Sequence, residues 1–124
     1  MKKDEKFDLE DRLIDFAARC IKVAESLPKT FAGQHLAGQL IRSGTSPALN
    51  YGEAQGAESR KDFIHKMKIC LKELRETLVC LKIIVRAELL TEGMLQPLID
   101  ETNELISIFV ISIKTAKQNM NSTS

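Results

Sequence analysis

Apolar residues recur at intervals of three and four residues in four separate segments of this 124-residue chain. Such spacing places them on one face of an α-helix, which must bury that face against another element. With one Tyr and no Trp, the composition also disfavours a β-sheet. Four segments with short connections predict an all-α, antiparallel, up-down-up-down four-helix bundle. We expect one domain over residues 1–124, with its core over about residues 7–117 and a frayed polar tail over 118–124.

The first two predicted helices are separated by a proline turn. The first helix spans Leu9 to Leu27, because Pro28 prevents its continuation. Thr30 is of a type that caps helix N-termini, so the second helix begins after it. The apolar residues that define the core faces of these helices are Leu9, Leu13, Phe16, Ala17, Cys20, Ala24 and Leu27 in the first, and Leu36, Ala37, Leu40 and Ile41 in the second.

Residues 42–52 contain Gly44, Pro47 and Gly52, which would ordinarily break a helix into a loop. We predict instead one long helix, kinked or widened near Pro47 and running to about residue 57, because a bundle needs four spans of similar length. Hydroxyl groups beside the proline are then expected to satisfy backbone groups. They do not form a phosphate loop, because no Lys-Ser/Thr pair ends the segment. These hydroxyl residues are Ser43, Thr45 and Ser46.

The third and fourth helices have clear N-terminal signals. Ser59 and Asp62 have capping-box spacing, which predicts a helix from Arg60 to about Glu88. Thr91 caps the fourth helix, whose regular part is expected to begin only at Pro97. The predicted core faces are Phe63, Met67, Cys70, Leu74, Leu78, Leu81 and Val85 in the third helix, and Leu95, Leu98, Thr102, Leu105, Ile106, Phe109 and Ile113 in the fourth.

The third helix carries a one-sided charge. Between Arg60 and Arg86 there are eight Lys or Arg residues against three acids, a local charge of +5 in a chain whose net charge is +1. At about 100° per residue, seven cationic or titratable side chains share an arc of roughly 100° nearly opposite the apolar face. They are Lys61, His65, Lys68, Lys72, Arg75, Lys82 and Arg86. This pattern predicts a surface that binds RNA or DNA, or a nucleic-acid-handling partner; the alternative is a solvated face paired with acids on neighbouring helices.

A few apolar residues fall outside the predicted core faces. Ile69, Cys80 and Ile83 lie off the core arc of the third helix, and Ile108 and Ile111 lie off that of the fourth. Exposed apolar groups of this kind indicate a partner surface, so we predict a homo-oligomer whose interface includes Ile69, Ile83, Ile108 and Ile111. A protein-interaction or scaffolding bundle without nucleic-acid binding remains the alternative function.

Patterns of catalytic or metal-binding residues are weak in this sequence, so we predict no enzyme activity, catalytic residue, metal or other cofactor. Asp62 and His65 have the spacing of a di-iron carboxylate-x-x-His element, but Ala32 stands where His35 would need its carboxylate. Three cysteines without a C-x-x-C pair indicate buried, reduced thiols. The charged segment at residues 1–6 is followed by no uninterrupted apolar run, which predicts no signal peptide, no membrane partner and a cytoplasmic location.

Over about residues 7–117, the chain resembles the bacterial four-helix-bundle family encoded by 23S rRNA intervening sequences. The resemblance rests on residues 42–46, 50–54, 59–66 and 71–78, which read RSGTS, NYGEA, SRKDFIHK and LKELRETL. Many members read Pro-x-Asn-Ile-Ala-Glu-Gly at the centre. Here Asn50 and Glu53 match, whereas Pro47 lies three residues before the Asn, and Gly52 and Ala54 replace the Ala and the Gly.

This resemblance implies a four-helix bundle, often assembled as a homopentameric ring. Related bundles are accessory proteins of diversity-generating retroelements, which resemble basic rings that bind a reverse transcriptase and nucleic acid. The resemblance therefore implies a reverse-transcriptase-like protein or nucleic acid as possible partners. That branch is strongly basic, whereas this chain is nearly neutral. Glu53 is expected to have a structural role, bonding Asn50 or a basic side chain.

Overall fold

A computed structural model describes residues 8–123, with side chains described through Met120. Its four helices are α1 (Leu9–Ser26), α2 (Phe31–Gln55), α3 (Arg60–Arg86) and α4 (Glu92–Thr123). No strand occurs in that range, so the prediction of an all-α four-helix bundle is confirmed. The charged N-terminal segment that was considered for targeting, together with Phe7, lies outside the described residues.

The helices pack in the order of the chain. The backbones of α1 and α2, α2 and α3, and α3 and α4 are in extensive contact, whereas α1 and α4 approach each other only locally. No backbone contact joins α1 to α3 within the described range, so these two helices lie on a diagonal of the bundle. Arg12 links α1 to α4 through ion pairs of 2.7 Å to Glu101 and 2.6 Å to Glu104.

Each helix begins at a side-chain cap. The oxygens of Thr30, Ser59 and Thr91 accept hydrogen bonds of 3.0–3.2 Å from the backbone N–H three residues later. These bonds satisfy donors that have no partner within the helix, which fixes where α2, α3 and α4 start. All three predicted caps are confirmed. Asp8 caps α1 in the same way, with a bond of 3.1 Å from the Asp11 N–H.

Helix α2 continues through Pro47, as predicted, and ends at Gln55, two residues before the expected end. The Thr45 hydroxyl donates to the Ile41 carbonyl at 2.7 Å, in agreement with the backbone role predicted for it. Asn50 donates to both the carbonyl (3.0 Å) and the hydroxyl (2.8 Å) of Ser46. The prediction for Ser43 was wrong: its hydroxyl accepts a 2.9 Å hydrogen bond from Thr77 of α3 instead.

The predicted core face of α1 is confirmed except for Ala17, which is half-buried, but that of α3 is rotated. Phe63, Leu78 and Val85 are only half-buried, and Cys80, which was placed off the core arc, is buried. The reason is that α3 packs against α2 as well as α4, so its buried arc includes the polar side that faces α2. The buried residues of α3 are Ile64, Met67, Cys70, Glu73, Leu74, Thr77, Cys80, Leu81 and Ile84.

Helix α4 is longer than its sequence pattern predicted. It begins at Glu92 and not at Pro97, which lies inside the helix beyond its first turn. It also continues through residues 118–123 of the polar tail that was expected to fray. Its predicted core residues are buried, except for the half-buried Ile106, and Ile99 and Ala116 join them.

The three cysteines are free and buried, as predicted. Burial raises the pKa of Cys20 and of Cys70 to about 12, because an apolar environment disfavours the thiolate. The pKa of Cys80 is raised for the same reason. The thiols therefore act as small core residues and not as nucleophiles.

A close approach between α1 and α2 makes Gly44 a packing requirement. A Cβ atom at position 44 would lie 2.6 Å from both Cβ and Sγ of Cys20, whereas one at Gly38 would meet no atom within 4 Å. We expect Gly44→Ala to lower the free energy of unfolding by about 1–3 kcal/mol through overpacking. The matched Gly38→Ala should raise it by about 0.5–1 kcal/mol, because Ala is the better helix former. Urea denaturation measures both, and equal effects would contradict the proposed contact.

The C-terminus of α3 has an unusual residue in a left-handed conformation. Glu88 has φ of 62°, and the bonds from Glu88 N–H to Val85 (2.9 Å) and from Leu89 N–H to Ile84 (3.1 Å) form a Schellman motif. Glycine ordinarily occupies this position because it has no Cβ.

Glu88→Gly should therefore raise the free energy of unfolding by about 1 kcal/mol. The control is Ala87→Gly at the preceding residue, which has a right-handed conformation, and it should be destabilising by about 0.5–1 kcal/mol. Thermal unfolding followed by circular dichroism distinguishes the two signs.

Candidate nucleic-acid interface

The seven cationic or titratable side chains predicted to share one face of α3 are all exposed in the structure. They lie opposite the buried arc of the helix, as the sequence pattern predicted. We refer to this set as the α3 stripe; it consists of Lys61, His65, Lys68, Lys72, Arg75, Lys82 and Arg86.

Two of the three acids of α3 are bound to another helix and not to the stripe. Arg42 of α2 makes ion pairs of 2.9 Å to Glu73 and 2.7 Å to Glu76. The hydrogen bond to Glu76, followed by the charge of Glu73, raises the pKa of Arg42 above its usual range. Glu73 is buried, so this guanidinium supplies the charge partner that a buried carboxylate needs.

Another acid that could have neutralised the stripe is also engaged elsewhere. Glu53 accepts a 2.7 Å bond from Lys66, a lysine of α3 that lies outside the stripe, and this pairing raises the pKa of Lys66. The structural role predicted for Glu53 is thus confirmed, with a basic side chain as its partner. Within residues 8–120, no stripe residue forms an ion pair.

A groove of about 780 Å³ runs between α2 and α3 alongside the stripe. Val79 and Ile83 are 56% and 46% exposed in it, and Leu36 of α2 contributes to the opposite wall. Its cationic residues on α3 are Lys68, Lys72 and Arg75. Sequence reasoning missed Val79, although it continues the three-and-four spacing of the stripe after Arg75. We refer to this feature as the α2/α3 groove.

A second, smaller cavity of about 360 Å³ lies at the start of α3. Lys61, His65 and Lys68 of the stripe line it together with Lys117 of α4. Lys117 therefore extends the cationic surface beyond α3. No sequence pattern indicates this residue, because it is about fifty positions away and only the packing of α3 on α4 brings it close.

The four isoleucines predicted to form an oligomer interface differ in exposure. Ile83 and Ile111 are exposed, whereas Ile69 is half-buried. Ile108 is half-buried and packs against the core, because the apolar arc of α4 is wider than its central stripe. Their place in an interface stays a prediction.

The described part of the chain contains no group of three or more His, Cys, Asp or Glu side chains that could hold a metal ion. His65 of the Asp62-x-x-His65 element is exposed on the stripe, away from the core. None of the described helices combines the length and apolarity that a membrane span requires.

The fold and this surface together define a class: a small helical bundle with a one-sided cationic face. Residues 5–110 match the sequence pattern of the 23S rRNA-intervening sequence protein family. The chain therefore belongs to this family.

A solved structure supports the same assignment. The chain is similar to a protein of unknown function from the S23 ribosomal protein family of Bacteroides thetaiotaomicron, with 33% sequence identity and a TM-score of 0.80. The similarity covers 86% of this chain and 99% of that protein. Neither description names an enzymatic activity. No protein with a curated description matches the chain.

The Arg42 contacts give a direct test of how α2 holds the acids of α3. Arg42→Gln should lower the free energy of unfolding by about 1–3 kcal/mol, because it removes the charge that faces buried Glu73. The control Glu76→Gln removes the carboxylate from the more exposed of the two ion pairs. It should lower the free energy of unfolding by less than about 1 kcal/mol. Chemical denaturation of both variants measures the difference; a larger loss for Glu76→Gln would show that Glu73 does not depend on Arg42.

Proposed function

We propose that the protein is a non-enzymatic nucleic-acid-binding protein whose α3 stripe contacts the phosphate backbone. One observation supports this most: the stripe cations are exposed and have no ion pairs among the described side chains, while Glu73 and Glu76 of α3 are bound to Arg42 and Glu53 of α2 is bound to Lys66. A merely solvated face with acidic partners would have used those carboxylates. Cations without acidic partners in the protein are available to bind the phosphates of a nucleic acid.

The dimensions of the stripe suit a nucleic-acid strand. From Lys61 to Arg86 it extends about 37 Å at 1.5 Å per residue. One strand of a duplex carries a phosphate about every 3.4 Å along the axis, but it completes a turn in about ten base pairs, so the straight stripe faces only part of that turn. A single strand can follow the stripe over its whole length. A row of lysine and arginine side chains on a helix contacts such a backbone without reading its sequence. The expected binding is therefore salt-sensitive and weakly specific.

The N-terminal part of the stripe is the better phosphate surface. Lys61, His65 and Lys68 are followed by no exposed apolar side chain until Val79, and Lys117 adds a further cation beside them. Beyond Arg75, the exposed Val79 and Ile83 interrupt the polar surface. We therefore place the main phosphate contacts at the start of α3.

Ribosomal RNA is the first nucleic acid to test. The family name refers to sequences that intervene in 23S rRNA, and the similar protein carries the name of a ribosomal protein family. Those names describe the relatives. They support the choice of probe for this chain and do not identify its ligand.

A second candidate function is protein–protein interaction, because the α2/α3 groove exposes Val79 and Ile83 between cationic residues. Apolar side chains of this kind gain nothing from a phosphate backbone but can be buried by a protein. The oligomer that the sequence predicts, or a nucleic-acid-handling protein, would use this groove.

The nucleic-acid proposal predicts a specific change in salt dependence. Fluorescence anisotropy with an RNA hairpin and a DNA duplex should give an association constant that falls with salt, with a slope of about −0.9 per neutralised phosphate on duplex DNA. The variant Lys61→Glu/Lys68→Glu should bind at least tenfold more weakly and reduce the magnitude of that slope by about 2.

The matched control is Lys22→Glu/Lys29→Glu, which makes the same change in net charge at exposed positions of α1 and of the turn that follows it. It should retain most of the affinity. Equal loss in both variants would mean that net charge alone governs binding. No binding by the wild-type protein at low salt would refute the proposal.

A further inference from the structure

The smaller cavity, between the start of α3 and the last turns of α4, gathers cations from both helices. Its volume of about 360 Å³ is lined on α3 by Lys61, His65 and Lys68, and on α4 by Lys117. The α3 residues are spaced by four and three positions, so their side chains lie above one another on one face of the helix. We refer to this feature as the α3/α4 cavity.

The cations of the α3/α4 cavity have no acidic neighbour in it. Among the described side chains, none that lines the cavity carries a carboxylate. Two acids close to the start of α3, Glu53 and Asp62, act on Lys66 instead: Glu53 accepts a 2.7 Å hydrogen bond from it, and both charges raise its pKa. Lys66 is one position beyond His65, about 100° further around the helix, so this pairing lies on the α2 side and not at the cavity.

Such a cavity favours an anion. A cleft lined by charges of one sign concentrates the electric field, and a bound counter-ion relieves the mutual repulsion of those charges. Each lysine ammonium group has three hydrogen-bond donors and approaches from its own helix, so the lysines can contact different oxygens of one phosphate. The expected ligand is therefore a compact anion with several acceptor oxygens, and in a nucleic acid that anion is a phosphate.

The cavity also has an apolar wall. Ile64 of α3 is buried and Met120 of α4 is half-buried, and both line the cavity together with the cations. A branched aliphatic side chain and a polarisable thioether form a surface on which a nucleobase can rest. Inorganic phosphate would leave this wall exposed, whereas a nucleotide covers it. The volume lies within the range of about 300–1,000 Å³ that is typical of small-ligand sites, so one nucleotide fits and a duplex does not.

The position of the cavity indicates which nucleotide of a strand it takes. It lies at the first three residues of the α3 stripe, and hence at one end of the row of cations. An internal phosphate is tied to a nucleotide on either side, so a continuous backbone passes over a small cavity, whereas a strand end can enter it. A terminal phosphate also carries a charge of about −1.5 to −2 at pH 7 and three acceptor oxygens, more than the single charge of an internal phosphate.

We propose that the α3/α4 cavity binds the phosphorylated end of a single nucleic-acid strand whose remaining nucleotides follow the α3 stripe. The terminal phosphate contacts Lys61, Lys68 and Lys117, and the terminal nucleotide covers Ile64 and Met120. This inference rests on the proposed nucleic-acid binding and adds a preference to it, because the stripe alone would bind phosphorylated and unphosphorylated strands alike.

Fluorescence anisotropy with versions of one single-stranded RNA of about 12 nucleotides tests the preference. An internal label leaves both ends free, and the strand carries a 5′-phosphate, a 3′-phosphate or hydroxyl groups at both ends. One of the two phosphorylated strands should bind about tenfold more tightly than the hydroxyl-ended strand, because it adds charge-assisted hydrogen bonds. A hydroxyl-ended strand that is two nucleotides longer matches the added charge and should gain less than about twofold.

The ratio of the affinities for phosphorylated and hydroxyl-ended strands separates the cavity from the rest of the stripe. Lys117→Gln removes an exposed cation of the cavity and should reduce this ratio from about ten to below about two. The matched control Lys82→Gln removes an exposed cation near the other end of the stripe, so it should weaken both strands equally and keep the ratio. Circular dichroism checks the fold, and Lys61→Gln replaces Lys117→Gln if that variant does not fold.

Several outcomes would overturn the inference. Equal binding of phosphorylated and hydroxyl-ended strands refutes it and leaves the proposed nucleic-acid binding in place, whereas no binding of any strand at low salt refutes both. A ratio that Lys117→Gln leaves unchanged places the terminal phosphate outside the cavity. Displacement of the phosphorylated strand by an equal concentration of adenosine monophosphate shows that the cavity takes free nucleotides and not strand ends.

Discussion

The position of α3 between two neighbours is the constraint on which the surface of this protein depends. Because α3 packs against both α2 and α4, more than half of its circumference is unavailable to charged groups that need water. The cations of the stripe occupy the remaining outward arc, whereas Lys66 lies outside it and pairs with Glu53 of α2. The two acids on the α2 side, Glu73 and Glu76, remain tolerable there because Arg42 reaches them from α2. Packing and ion pairing together thus separate the charges of α3 into an acidic side bound to α2 and a cationic side open to partners.

The nearly neutral composition conceals this separation. A net charge of +1 suggests no affinity for polyanions, yet it averages a cationic outward face on α3 with acids elsewhere in the chain, among them those exposed on α1. The outward faces of α3 and α1 lie on opposite sides of the bundle, so each acts on its own partner over the roughly 8–10 Å at which salt screens charges. Total charge describes solubility and long-range steering, whereas local charge decides what a particular surface binds.

The sequence predicted the features that depend on local rules. Helix caps at Thr30, Ser59 and Thr91 are local hydrogen bonds, and the apolar periodicity of α1 and α4 needs only one burying neighbour. Prediction from the sequence failed where residues of two helices together determine whether a side chain is buried. Buried Glu73, Thr77 and Cys80 look polar or peripheral on a helical wheel, and their burial depends on Arg42, Ser43 and Leu36 of α2. The stripe itself was predictable because exposure on a helix is also a local property, whereas Lys117 and the groove require the packing of neighbouring helices.

The two proposed surfaces of α3 reinforce each other physically. A single copy offers Lys61, His65, Lys68 and Lys117 at the start of α3, and so small a cluster neutralises few phosphates. Since each neutralised phosphate contributes only a modest free energy at physiological salt, one copy alone would bind weakly. In the homo-oligomer that the sequence predicts, this cluster would be repeated on every copy. Repetition of a weak site at fixed spacing converts it into strong binding through a high effective concentration, provided that the nucleic acid reaches several copies at once. Assembly is then the condition under which a nearly neutral bundle could hold a polyanion.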